Sequence, residues 1–416
     1  MRIRLLASAL VAVLCIRTCP LKAADDPADV AALKKVGGKF DFNADGTAIG
    51  LDFDNVSVRD ADLVHLKGVP SLEALALWGA DITDKAIPQL APLTKLKDLG
   101  LVNTVITDGG IAGLKNFPTI RSLNLRRSAA ITDAGFAVLP ELPNLEQAHL
   151  LYTNLSDAGM VHLKSLKKIR LLDVRGCPRI SDAGVANLQG LTTLEALKLR
   201  NQGVTDAGIA MLANLKKLKS LSLEDTQLSD KGAGALASMI NLEELDVMRT
   251  GLSDPGLANL AGMKKMKRLE IRGTQIEGTG LVHLQKMSAL KLLEMSETPL
   301  TDDGLANIES LTGIETLGLW NTKVSDAGLA HIAGMTALKK LTLEDDNDVT
   351  DKGVKIVAAF KNLESLSLKG TGTTDASVPE LARLTKLKDL DLRFSQLTDA
   401  GVAKLQQALP KTKINY

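Results

Sequence analysis

A repeat of about 24 residues constrains the fold of this 416-residue chain more than any other feature. From Leu51 onward a pattern close to L-x-x-L-x-L-x-x-T-x-I-T-D-A-G-L-x-x-L-x-x-L recurs in fifteen copies, called repeats 1 to 15, and Ile414 falls where a sixteenth strand would begin. Such an array forms one elongated domain rather than the two or three domains that the length alone would suggest. The central residues of L-x-L are Leu51, Leu75, Leu99, Leu123, Ala148, Leu172, Leu197, Leu221, Leu245, Leu269, Leu293, Leu317, Leu341, Leu366 and Leu390.

Each repeat carries the signals of a short strand followed by a short helix. The L-x-L alternation predicts a strand with one buried face. Ser or Thr followed by Asp then predicts a helix start, because the hydroxyl caps the helix and the acid favours its dipole, as before residues 328–332. A Gly two residues after the Asp indicates close approach between neighbouring repeats, since Gly is a poor helix former. Stacked repeats bury leucines that one repeat alone cannot bury.

A hydroxyl side chain follows most strands at a fixed offset. At this inward turn a small donor can satisfy backbone groups, and we expect stacked copies to form a ladder. Cys177 takes the same position in repeat 6. The hydroxyl residues are Thr104, Ser128, Thr153, Thr226, Thr250, Thr274, Thr298, Thr322, Thr371 and Ser395.

These features resemble those of leucine-rich-repeat proteins over residues 47–416. The motif Ile-Thr-Asp-Ala-Gly-Leu is similar to repeats of bacterial secreted, internalin-like proteins, and residues 175–184 around Cys177 are similar to the cysteine-containing repeats of F-box proteins. The resemblance implies an α/β fold, a right-handed solenoid shaped like a horseshoe. It would have about 15 repeats of 24–25 residues, a parallel concave sheet and short convex helices. Such a resemblance is specific for fold and weak for function.

The N-terminus has the pattern of an export signal. Arg2 and Arg4 precede an apolar run over residues 5–16, which is too short to span a membrane. We therefore expect an exported protein in the periplasm, at the cell surface or in the medium, a monomer with no integral membrane segment after cleavage. The expected divisions are a signal peptide at 1–24, a helix and hairpin cap at 25–46, the solenoid at 47–408 and a terminating segment at 409–416.

Residues 41–46 fit the start of a calcium-binding loop, D-x-N-x-D-G. Asp41, Asn43 and Asp45 take ligand positions, and Asp52 stands at position 12 in place of Glu. Residues 51–53 belong to the first strand rather than to an exiting helix. A polar hairpin turn is therefore the favoured interpretation, and a calcium site is the alternative.

The sequence contains no constellation typical of an enzyme. The five histidines do not converge, no zinc set or Cys–His pair has a suitable spacing, and no G-x-S-x-G, P-loop or dinucleotide motif appears in context. We therefore expect no catalytic residue and no cofactor. Fifty Lys and Arg against 49 Asp and Glu give no electrostatic reason to expect a nucleic acid partner.

The concave strand face is the predicted binding surface. Residues beside each central leucine, and the two residues after L-x-L, point to this side. They form a basic stretch in repeats 4 to 7 and a largely acidic one in repeats 8 to 11, and Arg and Tyr are favoured anchors at interfaces. The candidate binding residues are Arg126, Arg127, His149, Tyr152, Asp173, Arg175, Lys198, Arg200, Glu224, Asp246, Glu270 and Arg272.

Several hypotheses about function remain open at this point. The favoured one is an exported, non-catalytic scaffold that binds a protein or a glycan through the concave face. A strand face must be polar wherever it meets solvent, so a charged surface without a partner is an alternative. An F-box-like ubiquitin-ligase adaptor is disfavoured, because residues 25–46 leave no room for an F-box and because of the export signal. An enzyme with an unrecognised site is the remaining alternative.

Repeat 10 departs from the others at its helix start. Glu277-Gly278 replaces Ser/Thr-Asp, so the cap before Leu281 is missing. Loss of such a cap typically costs about 1 kcal/mol. We therefore expect the amides of residues 276–284 to exchange faster than those of neighbouring repeats.

Overall fold

The computed structural model describes residues 25–416, so the predicted signal peptide lies outside the described residues. In this part of the chain 17 strands form a single open sheet. The strands are β1 (Lys39–Phe42), β2 (Ala48–Asp52), β3 (Ala74–Trp78), β4 (Asp98–Val102), β5 (Ser122–Asn124), β6 (Gln147–His149), β7 (Leu171–Asp173), β8 (Ala196–Leu199), β9 (Ser220–Leu223), β10 (Glu244–Asp246), β11 (Arg268–Glu270), β12 (Leu292–Glu294), β13 (Thr316–Gly318), β14 (Lys340–Thr342), β15 (Ser365–Ser367), β16 (Asp389–Asp391) and β17 (Lys413–Asn415).

The central residues of neighbouring repeats pair with one another along the whole sheet. Strands β2 to β17 run parallel in chain order, from the Leu51–Leu75 pair to the Leu390–Ile414 pair, whereas β1 lies antiparallel to β2. Three steps between central residues have 25 residues instead of 24, and these residues still pair, as Leu123–Ala148, Leu172–Leu197 and Leu341–Leu366. The predicted α/β solenoid of stacked repeats is confirmed.

Short helices on the convex side connect the strands. The α-helices are α1 (Pro27–Lys35), α2 (Ala86–Gln89), α3 (Asp108–Ile111), α4 (Asp157–Met160), α5 (Asp182–Val185), α6 (Asp206–Met211), α7 (Asp230–Leu236), α8 (Asp254–Leu257), α9 (Asp302–Ala306), α10 (Asp326–His331), α11 (Asp351–Val357), α12 (Val378–Leu381) and α13 (Asp399–Ala408). Helices of the 3-10 type cover Asp60–Gly68, Ala112–Asn116, Gly135–Glu141, Val161–Ser165, Ala186–Leu188, Ala258–Leu260, Thr279–Leu284 and Asp375–Ser377.

The Ser/Thr-Asp pair does more than cap its own helix. In repeat 8 the Ser229 hydroxyl accepts from the backbone N–H of Lys231, as an N-cap does. The Asp206 carboxylate one repeat earlier accepts from the Ser229 backbone N–H at 2.8 Å and from its hydroxyl at 2.5 Å. The same two bonds join most neighbouring repeats, as with Asp157 and Ser181. A ladder of carboxylates therefore links neighbouring repeats by hydrogen bonds along the convex side.

The recurrent Gly makes room for this ladder. A Cβ atom at Gly232 would lie 2.1 Å from Asp206 Oδ1, and one at Gly184 would lie 2.4 Å from Asp157 Oδ1. No other residue leaves that space free, because every other side chain begins with a Cβ. The predicted close approach between repeats is therefore confirmed, and its cause is the carboxylate of the preceding repeat.

The hydroxyl row after the strands satisfies backbone groups as expected, but it is mostly not a ladder. Thr226 and Thr274 donate to the carbonyl oxygens three residues earlier, at 2.7 and 2.6 Å. Bonds between repeats join only some members, such as Thr104 Oγ1 and Ser128 Oγ at 3.0 Å. The prediction of a continuous ladder was wrong at this position. Most of these hydroxyls donate to a carbonyl oxygen of their own repeat rather than to the hydroxyl of the next repeat. Cys177 lies buried in the row, and burial raises the pKa of its thiol.

The N-terminal helix covers the first repeat. The Asp29 carboxylate on α1 lies 2.6 Å from His65 Nδ1, and the backbone N–H of Asp26 donates to the Gly68 carbonyl at 2.7 Å. Leu33 of α1 is fully buried and extends the row of buried leucines. The leucine core of the solenoid is therefore not left open at this end.

Repeat 10 has no side-chain cap, as predicted. Its 3-10 helix starts after Gly278, which has a φ of 116° and offers no side-chain hydrogen bond. The Asp254 carboxylate of the preceding repeat partly replaces the missing cap. It accepts hydrogen bonds from the backbone N–H groups of Glu277, Gly278 and Gly280. The helix start is thus held from the neighbouring repeat alone.

Candidate functional site

A row of polar and charged residues crosses the middle of the concave face. Each residue directly follows a central residue, and the strand register places neighbours of the row about 4.8 Å apart. Towards the N-terminal end the same row has the small Gly100 and Ala76 and then Asp52, and after repeat 11 it continues with Gly318. The polar part consists of Asn124, His149, Asp173, Lys198, Ser222, Asp246, Glu270 and Glu294.

Arg126, Arg127 and Tyr152 form an exposed basic and aromatic group in repeats 4 and 5. The Arg127 guanidinium carbon lies 5.7 Å from the centre of the Tyr152 ring, a cation–π contact. Arg127 and Tyr152 both have a positive φ, 58° and 57°. His149 lies half-buried on the neighbouring strand face, and burial lowers the pKa of its imidazole although Asp173 opposes that shift. The structure therefore brings these four predicted residues into adjacent repeats.

Arg175 is paired within its own repeat. Its guanidinium donates to both carboxylate oxygens of Asp173, at 3.0 and 2.8 Å, and Asp173 is only 2% exposed. The bond to Asp173 raises the pKa of Arg175. Lys198 in the next repeat forms no ion pair within the described residues. Of these two predicted cations, only Lys198 keeps its charge uncompensated.

Arg200, Glu224, Asp225 and Arg249 form one ion-pair network. Arg200 Nε donates to Asp225 Oδ2 at 2.7 Å, and Arg249 donates to Asp225 Oδ1 at 2.6 Å. Arg249 also bonds the Glu224 carboxylate. The bond from Arg249 is the main cause that lowers the pKa of Asp225, and Arg200 adds to it. Arg200 and Glu224 were predicted as binding residues, and the structure places both inside this internal network.

Three carboxylates follow in register on neighbouring strands, Asp246, Glu270 and Glu294. Burial raises the pKa of Asp246, which accepts from the Ser222 hydroxyl at 2.8 Å and from the Met248 N–H. Burial also raises the pKa of Glu270, although Arg268 bonds this carboxylate. Like charges side by side on a sheet are destabilising. This segment, the carboxylate row, is therefore the most negative part of the concave face.

Arg272, the last of the predicted binding residues, contacts an aromatic ring, which the sequence analysis did not predict. Its guanidinium carbon lies 4.7 Å from the centre of the Trp320 ring, and its Nε donates to Glu297 at 2.6 Å. Trp320 in turn donates from Nε1 to Asp345 at 3.0 Å. The signal that could have found this contact is the two-repeat spacing between an Arg and a Trp at the same repeat position.

Two adjoining cavities lie along the concave face and share Glu270 in their walls. One has about 290 Å³ and reaches from Arg175 and Lys198 to the carboxylate row. The other has about 270 Å³ and includes Met248 and Trp320. The arrangement is open and charged, with room for a chain segment rather than for a small enclosed substrate.

The turn proposed as an alternative calcium site is closed by one of its own side chains. Asn43 Oδ1 accepts from the backbone N–H groups of Asp45 and Thr47 at 3.0 and 2.9 Å. Asp52 Oδ1 accepts from the Asp54 N–H at 2.6 Å, and Asp41 lies against Gly50 of the paired strand. Titration of residues 25–416 with calcium tests this site, and no heat at millimolar calcium would contradict it.

An alternating charge ladder runs along one edge of the solenoid, a second feature that sequence reasoning missed. It uses the position two residues before each central leucine, where opposite charges one repeat apart meet. Equal spacing of opposite charges at the repeat period is the signal that could have revealed it. The pairs are Glu73–Lys97, Arg121–Glu146, Arg170–Glu195, Glu195–Lys219, Glu243–Lys267, Lys291–Glu315, Glu315–Lys339 and Glu364–Lys388.

Within residues 25–416 no group of three or more His, Cys, Asp or Glu side chains is placed to hold a metal ion. No helix in the same range is both long enough and apolar enough to cross a membrane.

Comparison with known proteins shows what the fold is similar to. A leucine rich repeat family model matches residues 214–237, 238–261 and 383–405. An internalin from Listeria monocytogenes is 25% identical with a TM-score of 0.59, covering 81% of this chain and 92% of that chain. A leucine-rich-repeat protein from Leptospira interrogans is 17% identical with a TM-score of 0.59, covering 95% and 100%.

A third solved structure adds a receptor to these neighbours. It is the leucine-rich-repeat ectodomain of a plant membrane receptor kinase from Arabidopsis thaliana, in complex with Casparian strip integrity factor 2. The identity is 17% and the TM-score 0.50, covering 85% of this chain and 44% of that chain. No curated protein matches this chain, and the comparisons indicate no catalytic family. The register, the matched segments and these neighbours together identify the fold as an open leucine-rich-repeat solenoid.

Proposed function

We propose that this protein is an exported, non-catalytic scaffold that recognises another protein through its concave face. The observation that carries the proposal is the polar row from Asn124 to Glu294, which crosses eight consecutive strands and is bounded on either side by a glycine, Gly100 and Gly318. An unbroken row of polar and charged side chains over eight strands is the type of surface that a protein partner can contact along its length. Export rests on the pattern of residues 1–24.

Two further observations support a protein as the partner. The cavities on this face are shallow, adjoining and lined by charged groups, which suits an extended chain segment. The plant receptor ectodomain has the same fold and is solved in complex with an integrity factor. A glycan is the alternative partner, and the Trp320 ring beside Arg272 is the feature that would favour it.

A bulky residue in the middle of the concave face tests the proposal. Ser220 is half-buried at the floor of the larger concave cavity, so Ser220→Trp should fill it. Residues 25–416 immobilised as bait should capture a protein from the native envelope or medium, and Ser220→Trp should lose it. Lys264→Trp, at an exposed outer turn, is the matched control and should keep it.

Each outcome of this comparison is informative. Equal capture by both variants would show that the concave face is not the binding surface. Capture that survives protease treatment of the sample but not glycosidase treatment would favour the glycan.

A further inference from the structure

Cations on the concave face divide into paired and unpaired ones. Arg175 and Arg200 are held by carboxylates of the same solenoid. By contrast, Arg126, Arg127 and Lys198 form no ion pair with any described residue. An unpaired cation near a partly desolvated surface keeps its full charge for a partner, whereas a paired one must first lose its internal bonds.

The backbone at Arg127 and Tyr152 is held in an unfavourable conformation. Both residues occupy the repeat position that has a positive φ in most repeats, where Gly and Asn are the residues best suited to it. Asn103 and Gly176, in the repeats on either side, fit this rule. Later repeats also place bulky residues at this position, namely Arg249, Glu297 and Phe394. A bulky residue persists in such a conformation only where something offsets its cost, and at Arg127 and Tyr152 the internal contact is their cation–π pair.

The arrangement directs both side chains outward. A Cβ atom at Gly176 would lie 2.3 Å from Tyr152 Cδ1, so the Tyr152 ring rests directly over this glycine. The ring is 41% exposed, and Arg127 stacks beside it. Exposed Tyr and Arg side chains on a rigid floor are the residue types that dominate binding energy at interfaces.

The carboxylate row sets a limit to the size of an anionic ligand. Arg126, Arg127 and Lys198 lie in repeats 4 to 7, which span three strand spacings or about 14 Å. That length corresponds to about four residues of extended chain. Asp246 follows two repeats later and Glu270 and Glu294 after it, so a longer anionic chain running along the sheet would meet like charge.

We propose that Arg126, Arg127, Tyr152 and Lys198 bind a short acidic segment of the partner protein, with about four residues in an extended conformation. This inference rests on the proposed function and gives the chemistry of its partner. Two or three carboxylates would pair with the free cations while an apolar or aromatic group packs on the Tyr152 ring. A long polyanion, such as a sulfated polysaccharide or a nucleic acid, is disfavoured by the carboxylate row.

Defined peptide probes test the inference without the natural partner. Three fluorescent peptides of about eight residues share one Tyr and differ in carrying Glu, Gln or Lys at the remaining central positions. Binding to residues 25–416 is measured by fluorescence anisotropy at about 50 and about 300 mM salt. The Glu peptide should bind roughly tenfold or more tightly than the Gln peptide, and salt should weaken it.

Two variants and one control locate the site. The double variant Arg126→Glu, Arg127→Glu should bind the Glu peptide roughly tenfold or more weakly than the unaltered protein does. Lys216→Glu with Lys217→Glu makes the same charge change at an exposed outer turn and should leave binding unchanged. Tyr152→Asn places a residue suited to positive φ at this position, so the melting temperature of the protein should stay the same or rise. The same variant should weaken binding of the Glu peptide, because the aromatic ring is lost. A purely structural Tyr152 would not show that opposite pair of effects.

The remaining outcomes overturn the inference. Equal affinity for the Glu and Gln peptides, or equal loss in the outer-turn variant, would contradict an acidic segment at this site. Tight binding of heparin together with no binding of the Glu peptide would assign the cations to a polyanion. If a captured protein is lost with Ser220→Trp but kept with the double Arg variant, the inference is wrong while the proposed function stands.

Discussion

Replacing Asp346 with Thr is expected to stabilise the folded protein, and to do so more as the pH rises. Asp346 occupies the hydroxyl position after the strand of repeat 13, where its neighbours have Thr322 and Thr371. It is only 2% exposed, and its Oδ2 has no hydrogen-bond partner in the described part of the chain. Its Oδ1 accepts from the Thr322 N–H at 2.7 Å. A buried carboxyl with one unsatisfied oxygen is costly once it ionises.

The size of the effect follows from the pKa of this carboxyl. Burial, with a smaller contribution from Asp345, raises the pKa of Asp346 to about 7. The unfolded value is about 3.9, so the folded state binds this proton more tightly and its stability falls as the pH rises between the two values. Three pKa units correspond to about 4 kcal/mol once the pH exceeds 7, of which about 2.5 kcal/mol develops between pH 5 and pH 8.

Chemical unfolding of residues 25–416 at about pH 5 and about pH 8 measures this difference. Asp346→Thr should gain more stability at the higher pH, and its hydroxyl can accept from Thr322 as Ser128 does from Thr104. Asp346→Asn, which cannot ionise, should show the same trend. Asp348→Asn removes an exposed charge two residues away and is the matched control. An equal change at both pH values, or the same trend in the control, would refute the reasoning.

Three further predictions concern the convex side. Gly232→Ala should destabilise the folded protein by about 1–3 kcal/mol, because its Cβ would displace the Asp206 carboxylate. A Cβ at Gly234 in the same helix would meet nothing within 4 Å, so Gly234→Ala should stabilise the folded protein by about 1 kcal/mol. Thermal unfolding shows whether the two variants change the melting temperature in opposite directions. Asp206→Ala should cost about 1–3 kcal/mol, against about 0.5 kcal/mol or less for the exposed Asp303→Ala. Residues 276–284 should exchange their amide hydrogens faster than neighbouring repeats, and uniform protection would contradict this.

The repeat period allowed most of the fold to be predicted. Each central leucine lies in a strand and pairs with the next, because a stacked solenoid repeats one set of contacts at one spacing. The helix caps at Ser229 and most of its equivalents were also predictable, since capping depends on residues next to one another in the chain. The bond from Ser229 to Asp206 was not predicted, because it depends on how far one repeat rises above the other.

The concave face could be predicted as a set of residues but not as a set of free charges. Arg175 and Arg126 look equivalent in the sequence, at the same repeat position three residues after the central leucine. Asp173 lies two residues before Arg175 on the same face and neutralises it, whereas Asn124 takes that place before Arg126. An acid two residues earlier does not by itself decide the pairing, because Arg272 follows Glu270 in the same way and bonds Glu297 of the next repeat instead. Whether a guanidinium is free thus depends on the geometry of its neighbours in its own and the adjacent repeats.

The repeats of this solenoid also serve as internal references for one another. Arg249 and Glu297 depart from Gly or Asn at the positive-φ position, and the ion pairs of each with a neighbouring repeat explain the departure. Arg127 and Tyr152 depart in the same way, yet neither forms an ion pair within the described residues. Their contact is instead the cation–π contact with each other, which leaves both side chains exposed and the charge of Arg127 uncompensated. An exposed, uncompensated cation beside an aromatic ring is the kind of group that anchors a partner, so the partner is best sought at these two adjacent repeats.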